Sequence, residues 1–341
     1  MAWARAGVDP GFLQTVSRRG YRIVTSAGQQ LRFAEPARRI LVTGATGFIG
    51  RHLLSALEHA GRRPIRCLVD RCENVQVLEG RGLELAFGNL AEGCGLAEAV
   101  AGVHTVINLA VCWRPRGAKD YQAVNHQGVQ RLVEAAAAAG VKRVIHLSDR
   151  WEADDPKYPY LRSRYGGRLA IMQNGIPYTI IQPGIVFGPG DYLTEQLASH
   201  IRHRSVMPVG ARRDLILQPI HVDDLARCII AVMEDPRFEN QALDLGGPEQ
   251  LTFQEVVDAV KQRLGRRGPF PLLSVRSARA VAVLSKLLRI RRGQPPASFE
   301  VLAHATTTTD PHVVGRLFGF QPRRLSDSIE NLDQDPPQTA S

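Results

Sequence analysis

Short apolar runs recur along residues 40–182 and alternate with longer stretches in which apolar positions return every three or four residues. Ile40-Leu41-Val42 and residues 64–69, 83–87, 105–110, 144–147 and 178–182 are brief and rich in β-branched side chains, and each predicts a buried strand. Residues 51–60, 96–101, 121–139 and 158–174 carry the helical period; alanines favour the third of these helices, and Gly140 supplies its stop. Strands alternating with helices predict an α/β fold, a parallel sheet covered on both faces. Ligands of such a sheet lie at the carboxyl ends of its strands.

From about residue 185 the rhythm gives way to loops and shorter elements, which predicts a smaller C-terminal lobe interleaved with elements of the main core. Gly188-Pro189-Gly190 reads as a turn, and Asp223 can cap a helix over 224–234 that Asp235-Pro236 stops. Thr252 and Glu255 have capping-box spacing at the start of a helix over 256–264. Residues 274–290 set leucines and valines against Arg276, Arg279, Lys286 and Arg289, an amphipathic helix that either covers the lobe's core or touches an anionic membrane surface. Residues 331–341 read as a loose tail, and 1–38 as an N-terminal extension.

Between the first strand and the first helix stands Gly44-Ala45-Thr46-Gly47-Phe48-Ile49-Gly50. In a chain with 31 glycines such a triplet means little alone, but here it opens a βαβ unit. Glycine at 44 permits a tight turn, Gly47 lets backbone approach a pyrophosphate, and Gly50 allows close packing of helix on strand. Phe48 and Ile49 complete the helix start, whose N–H groups and dipole favour phosphate. Asp70, twenty residues after Gly50, ends the second strand where an acid meets the adenosine ribose. This predicts a Rossmann-type doubly wound domain over 39–184 that binds NAD or NADP, with residues 185–330 as mainly a substrate-binding lobe. Asp70 favours the free diol of NAD, whereas Arg71 beside it suits the 2′-phosphate of NADP.

Composition removes other classes. The net charge of +10 is concentrated: residues 1–39 carry +5 and residues 261–292 carry +10, so the rest is mildly acidic and offers no groove for nucleic acid. No run of 18 apolar residues exists, and the first residues lack a secretory h-region, so a cytoplasmic protein is expected. The five cysteines are scattered and never spaced as CxxC, which argues against a disulfide framework and a zinc site. Partners reduce to a small-molecule substrate, with a homodimer left open.

The ordered motifs VTGATGFIG, GNL at 88–90, INLA at 107–110, VNHQGVQRLVEAAAAAGVKRVIHLS from 124, YLRSR from 160, IQPGIVFGPGD from 181 and HVDDLA from 221 resemble the extended and atypical branch of the short-chain dehydrogenase/reductase superfamily, the epimerase/dehydratase type. The likeness covers about residues 39–325. It implies that Asn89 and Leu90 flank the adenine, that Leu109 and Ala110 line the pyrophosphate and ribose, that Asn125 sits behind the nicotinamide, and that Pro183 touches the carboxamide. It further implies Tyr160 as acid or base, with a cation four residues on sharing its helix face. That cation is Arg164 where the family has lysine; it keeps its charge but aims its bonds differently. Where the family has a serine pair, Ser148-Asp149 stands here, and an aspartate beside Tyr160 would raise the tyrosine pKa. Asn89 replaces the acid more usual in the family. His221 is expected to be structural, and Asp223 and Asp224 to be cap and surface.

Residues 15–22 look like the wing hairpin of a winged-helix domain whose helices are absent, and the arginine-rich leader also resembles a mitochondrial transit segment. Two function readings follow: an NAD(P)-dependent oxidoreductase or epimerase/dehydratase-like enzyme acting on a hydroxyl or carbonyl of a sugar nucleotide, steroid-like or quinone-like molecule; or an NAD(P)-binding sensor or assembly subunit without turnover. A DNA-binding regulator is the third reading, disfavoured because no recognition helix exists.

Overall fold

The computed structural model describes residues 13–14, 22–24, 30–31, 38–62, 64–70, 75–113, 118–150, 152–203, 215–267, 309–329 and 332. The chain divides into two compact units, Met1–Arg38 and Arg39–Ser341. In the first, β1 (Leu13–Gln14), β2 (Arg22–Val24) and β3 (Gln30–Leu31) form a small antiparallel sheet in that order.

The second unit runs β4 (Ile40–Thr43), α1 (Phe48–His59), β5 (Ile65–Val69), β6 (Glu84–Phe87), α2 (Leu96–Val100), β7 (Thr105–Asn108), α3 (Ala118–Tyr121), a π-helical turn Gln122–Gly128, α4 (Val129–Ala138), β8 (Arg143–Leu147), α5 (Pro159–Gln173) and β9 (Tyr178–Pro183). It continues through β10 (Val186–Phe187), α6 (Tyr192–Arg202), β11 (Ile216–Leu217), β12 (Ile220–His221), α7 (Val222–Glu234), β13 (Gln241–Leu245), β14 (Leu251–Thr252), α8 (Phe253–Arg263) and α9 (Val313–Phe318). Seven parallel strands form the main sheet in the order β13-β9-β8-β7-β4-β5-β6. Alternate residues of these strands feed two cores, one around Val42, Ile107, Ile145 and α7, the other around Leu41, Val106, Val144 and α4. Helices on both faces explain why the inner strands are mostly apolar, and the buried polar side chains among them are hydrogen-bonded, as Asn108 is to Thr43 and His146 and Arg143 is to Thr179. Strand order reverses at β4, so the crevice at its carboxyl end is the switch point where such sheets bind ligands.

Local differences from the sequence reading have physical causes. β7 ends at Asn108, two residues early, because the Ala110 backbone N–H turns to the Thr43 hydroxyl at 3.2 Å. The long helix contains the π-helical turn, whose Asn125 and His126 lie against Gly166 and Gly167 of α5; a Cβ on Gly167 would stand 2.1 Å from the Asn125 carbonyl oxygen. The cap of α7 is His221, whose Nδ1 accepts from the Asp223 N–H at 3.2 Å, and Asp223 instead bonds His52 and Arg323. The capping box of α8 forms in full, with Thr252 Oγ1 accepting from the Glu255 N–H and Glu255 accepting from the Thr252 N–H. The lobe after residue 185 has its own core of Phe187, Leu197, Phe253, Val257 and Leu325, yet β13 returns to extend the main sheet. The segment 274–290, and the tail apart from Leu332, lie outside the described residues. Among the described residues no helix is long and apolar enough to cross a membrane, and no cluster of His, Cys, Asp and Glu could hold a metal.

Candidate active site

Three glycines build the turn at the switch point. Gly44 adopts φ of 67°, and a Cβ there would lie 2.8 Å from the Ala110 nitrogen, so the turn is seated against the end of β7. A Cβ on Gly50 would stand 2.2 Å from the Gly44 carbonyl oxygen, so α1 starts tight on its own turn. Gly47 is exposed, and an added Cβ would meet only the Gly44 oxygen, at 3.2 Å. It is the N-cap of α1, no side chain caps it, and the first helical turn holds no acid. The open side of Gly47 and the uncapped positive helix end therefore suit a diphosphate. Phe48 and Ile49, both half-buried, begin the helix, and Phe48 packs edge-on against His52 at 5.5 Å.

Asp70 follows β5, and its carboxylate accepts from the Asn89 side-chain amide at 2.6 Å; Asn89 Oδ1 in turn accepts from the Glu92 N–H. The two residues expected around the adenosine are thus bonded to each other. Arg71 lies outside the described residues. Leu90 and Leu109 bury their side chains in opposite cores, and half-buried Ala110 packs against the core that holds Leu90.

At the carboxyl end of β8 the chemistry gathers on Asp149. Tyr160 and Arg164, one turn apart on α5, are 1% and 3% exposed. The Tyr160 hydroxyl donates to Asp149 Oδ2 at 2.9 Å, Arg164 Nε donates to the same oxygen at 2.7 Å, and Arg164 also donates to the Leu147 carbonyl. Burial and then the Asp149 charge hold the Tyr160 pKa well above its usual 10, and Arg164 opposes them without prevailing. Ser148 is buried beside Glu152, whose side chain is fully enclosed. Burial lifts the Glu152 carboxyl to about 7. The Gln182 amide donates to both Glu152 Oε1 and the Asp149 carbonyl, each at 2.9 Å, and so ties the two acidic residues together.

The NAD dependent epimerase/dehydratase family matches residues 40–246. The chain belongs to this family. Among curated relatives, it is 31% identical over 197 residues to a ceramide reductase of Caulobacter vibrioides, covering 58% of this chain and 61% of that protein's length. It is 30% identical over 248 residues to the (4-alkanoyl-5-oxo-2,5-dihydrofuran-3-yl)methyl phosphate reductase of Streptomyces griseus subsp. griseus, covering 72% and 81%. A solved structure of MoeE5 in complex with UDP-glucose and NAD superposes with a TM-score of 0.68 at 22% identity, covering 86% of this chain and 97% of that one, which shows a shared fold. As an extended short-chain dehydrogenase/reductase of the epimerase/dehydratase family, the chain takes NAD or NADP as its cofactor.

Asn125, 0% exposed, accepts from the Cys112 N–H at 2.7 Å and donates to Ser163 Oγ at 3.1 Å, so it fastens the segment after β7 to α5. Pro183 ends β9, buried and paired with Leu245. His221 is a helix cap whose imidazole is held below its usual pKa by burial and by Arg323. Sequence reasoning missed Glu152 and Gln182, which meet only through folding. It also missed Trp113 and Tyr121, whose rings stand edge-on to Tyr160 at 5.7 and 5.4 Å. An aromatic residue just past the carboxyl end of β7 was the readable signal for Trp113.

Proposed function

We propose that this chain is an NAD(P)-dependent reductase of a small-molecule carbonyl, with Tyr160 as the proton donor. The observation that carries the reading is the Tyr160 hydroxyl donating to Asp149 within a buried pair with Arg164. An epimerase or alcohol-oxidising enzyme needs the tyrosine to start as a base, and a tyrosine whose pKa is raised stays protonated at neutral pH. A reductase needs the proton present at the start. The dinucleotide, held by Gly44, Gly47, Gly50 and the amino end of α1, supplies the hydride when bound. As the carbonyl oxygen gains charge, Tyr160 transfers its hydroxyl proton to that oxygen, giving the alcohol and a tyrosinate. Arg164 is the adjacent cation that steadies the tyrosinate until a proton returns. Ser148 is the nearby hydroxyl suited to orient the substrate oxygen. Oxidation of NADH or NADPH by a carbonyl panel tests the reading: Tyr160→Phe should abolish turnover and leave dinucleotide binding intact, and unaffected turnover would remove it.

A second reading, an NAD(P)-binding protein without turnover, is favoured by the same tyrosine being 1% exposed with its hydroxyl already engaged. Thermal stabilisation by a dinucleotide with no activity, even in Asp149→Ser with Arg164→Lys, would support it. Robust wild-type turnover would end it. Cytoplasmic location, membrane contact through 274–290 and a homodimer belong to this wider proposal; sedimentation with and without anionic vesicles would test the last two.

A further inference from the structure

Resting on the reductase reading, we infer that the substrate is a flat, largely apolar carbonyl compound, an aromatic or polycyclic ketone rather than a sugar nucleotide, received against Trp113, Tyr121 and Tyr158 beside Tyr160. The wall stands at the ligand end of the sheet. Val111, Cys112 and Trp113 come after the Leu109-Ala110 pair that leaves β7, with Val111 38% exposed and Trp113 half-buried. Trp113 meets the Tyr160 ring at 87° and Tyr121 meets it at 69°, so the two rings form an aromatic corner around the proton donor. Tyr158 and Cys112 pack on the same cluster with Leu161. The medium there is apolar enough to push the Cys112 thiol up to about 11, chiefly by burial.

Most polar groups of this corner are committed to one another, and Ser148 Oγ and Arg164 Nη1 are buried beside it without a hydrogen-bond partner among the described residues. The Asn125 amide serves Cys112 and Ser163, the Ser163 hydroxyl donates to the Tyr160 carbonyl at 2.6 Å, and Arg164 serves Asp149 and the Leu147 carbonyl. A single substrate oxygen can take the Tyr160 hydroxyl, which need only leave Asp149, and the unpartnered Ser148 hydroxyl as a second donor. A pyranose brings several hydroxyls, more than Ser148 and Arg164 can pair among the described residues, and each one left over loses its water for nothing. A ketone with fused or aromatic rings brings one acceptor, and its rings gain from burial and from edge or offset contacts with Trp113 and Tyr121. Lys157 is exposed and stands over the Tyr158 ring at 5.4 Å, and half-buried Asp120 is near enough to add to the rise of the Cys112 thiol.

Calorimetry on the full chain loaded with NADH, using fluorenone and UDP-glucose as probes, tests this. Fluorenone should bind roughly tenfold or more tightly than UDP-glucose. Trp113→Ala should weaken fluorenone roughly tenfold, Trp113→Phe should restore most of the affinity, and neither should alter NADH binding. Tighter binding of UDP-glucose, binding of neither probe to the NADH-loaded protein, or indifference of fluorenone to Trp113→Ala would each overturn the inference. Fluorenone bound in this Trp113-dependent way without NADH oxidation would sustain the substrate class while sinking the reductase reading, so the two failures are distinguishable.

Discussion

Replacing Asp149 by serine strands Arg164, a cation that is 3% exposed and loses the carboxylate bonded to its Nε. Removing one partner of a buried ion pair costs about 3–5 kcal/mol because the remaining charge is left without compensation. The Asp149 side chain is 19% exposed, so solvent reaches part of the pair and the lower end, about 3 kcal/mol, is expected. For a unit of this size that lowers Tm by about 5 °C. Asp149→Ser combined with Arg164→Leu deletes the stranded charge and should recover about 2 kcal/mol relative to the sum of the single changes. Tyr160 responds in the opposite sense. Its pKa is held up by burial, by the Asp149 charge and by the hydrogen bond to it, so loss of Asp149 brings tyrosinate to lower pH. A folded pKa above the unfolded value of 10 means stability that is complete below pH 10 and declines as pH rises beyond it. The wild type should therefore lose stability above pH 10, and the variant should lose less by this route. Differential scanning calorimetry gives the first quantity, and ultraviolet difference titration against Tyr160→Phe gives the second. An Asp149→Ser protein with unchanged Tm and unchanged tyrosine titration would refute the hub.

Three further outcomes are expected. Glu152 carries a carboxyl raised from 4.5 to about 7, so its ionisation weakens the fold as pH climbs through that interval, by up to about 3 kcal/mol; Glu152→Gln, which keeps an acceptor for Gln182, should gain Tm over the wild type as pH rises, and a gap independent of pH would contradict this. Gly44→Ala should destabilise by about 1–2 kcal/mol, from its left-handed backbone and its approach to Ala110, whereas Gly47→Ala should keep Tm and weaken dinucleotide binding roughly tenfold, as thermal shift and calorimetry would show. Thr252→Ala should cost about 1 kcal/mol in urea unfolding by removing the α8 capping box, and no change in the midpoint would argue against that cap.

The sheet was legible because its strands are short and rich in apolar and β-branched residues, and because glycines at 44, 47 and 50 serve one turn. Helix ends were less legible where side chains compete. Asp223 looked like the cap of α7, but His52 and Arg323, 171 and 100 residues away, engage its carboxylate, and the imidazole of His221 takes the cap. The π-helical turn at Gln122–Gly128 had no local signal, since its packing on Gly166 and Gly167 joins segments about 40 residues apart. In the site, Tyr160 and Arg164 could be paired by helical spacing alone. That both would donate to one oxygen of Asp149 depends on where β8 ends relative to α5, which spacing does not encode.

The departures at 149 and 164 make physical sense only together. An aspartate beside a buried tyrosine would be an uncompensated charge, and so would an arginine at 3% exposure; paired at 2.7 Å they neutralise each other and satisfy the tyrosine hydroxyl as well. A site losing its chemistry by unselected substitution has no reason to acquire matched charges with a shared hydrogen-bond hub. Arginine also fits this role better than lysine, because its planar fork reaches Asp149 and the Leu147 carbonyl at once. The consequence is a tyrosine that rests protonated at neutral pH and, as the weaker acid, releases that proton only as charge builds on an acceptor oxygen. The two substitutions therefore leave room for the proposed chemistry at Tyr160 and set the protonation state from which a turnover would start.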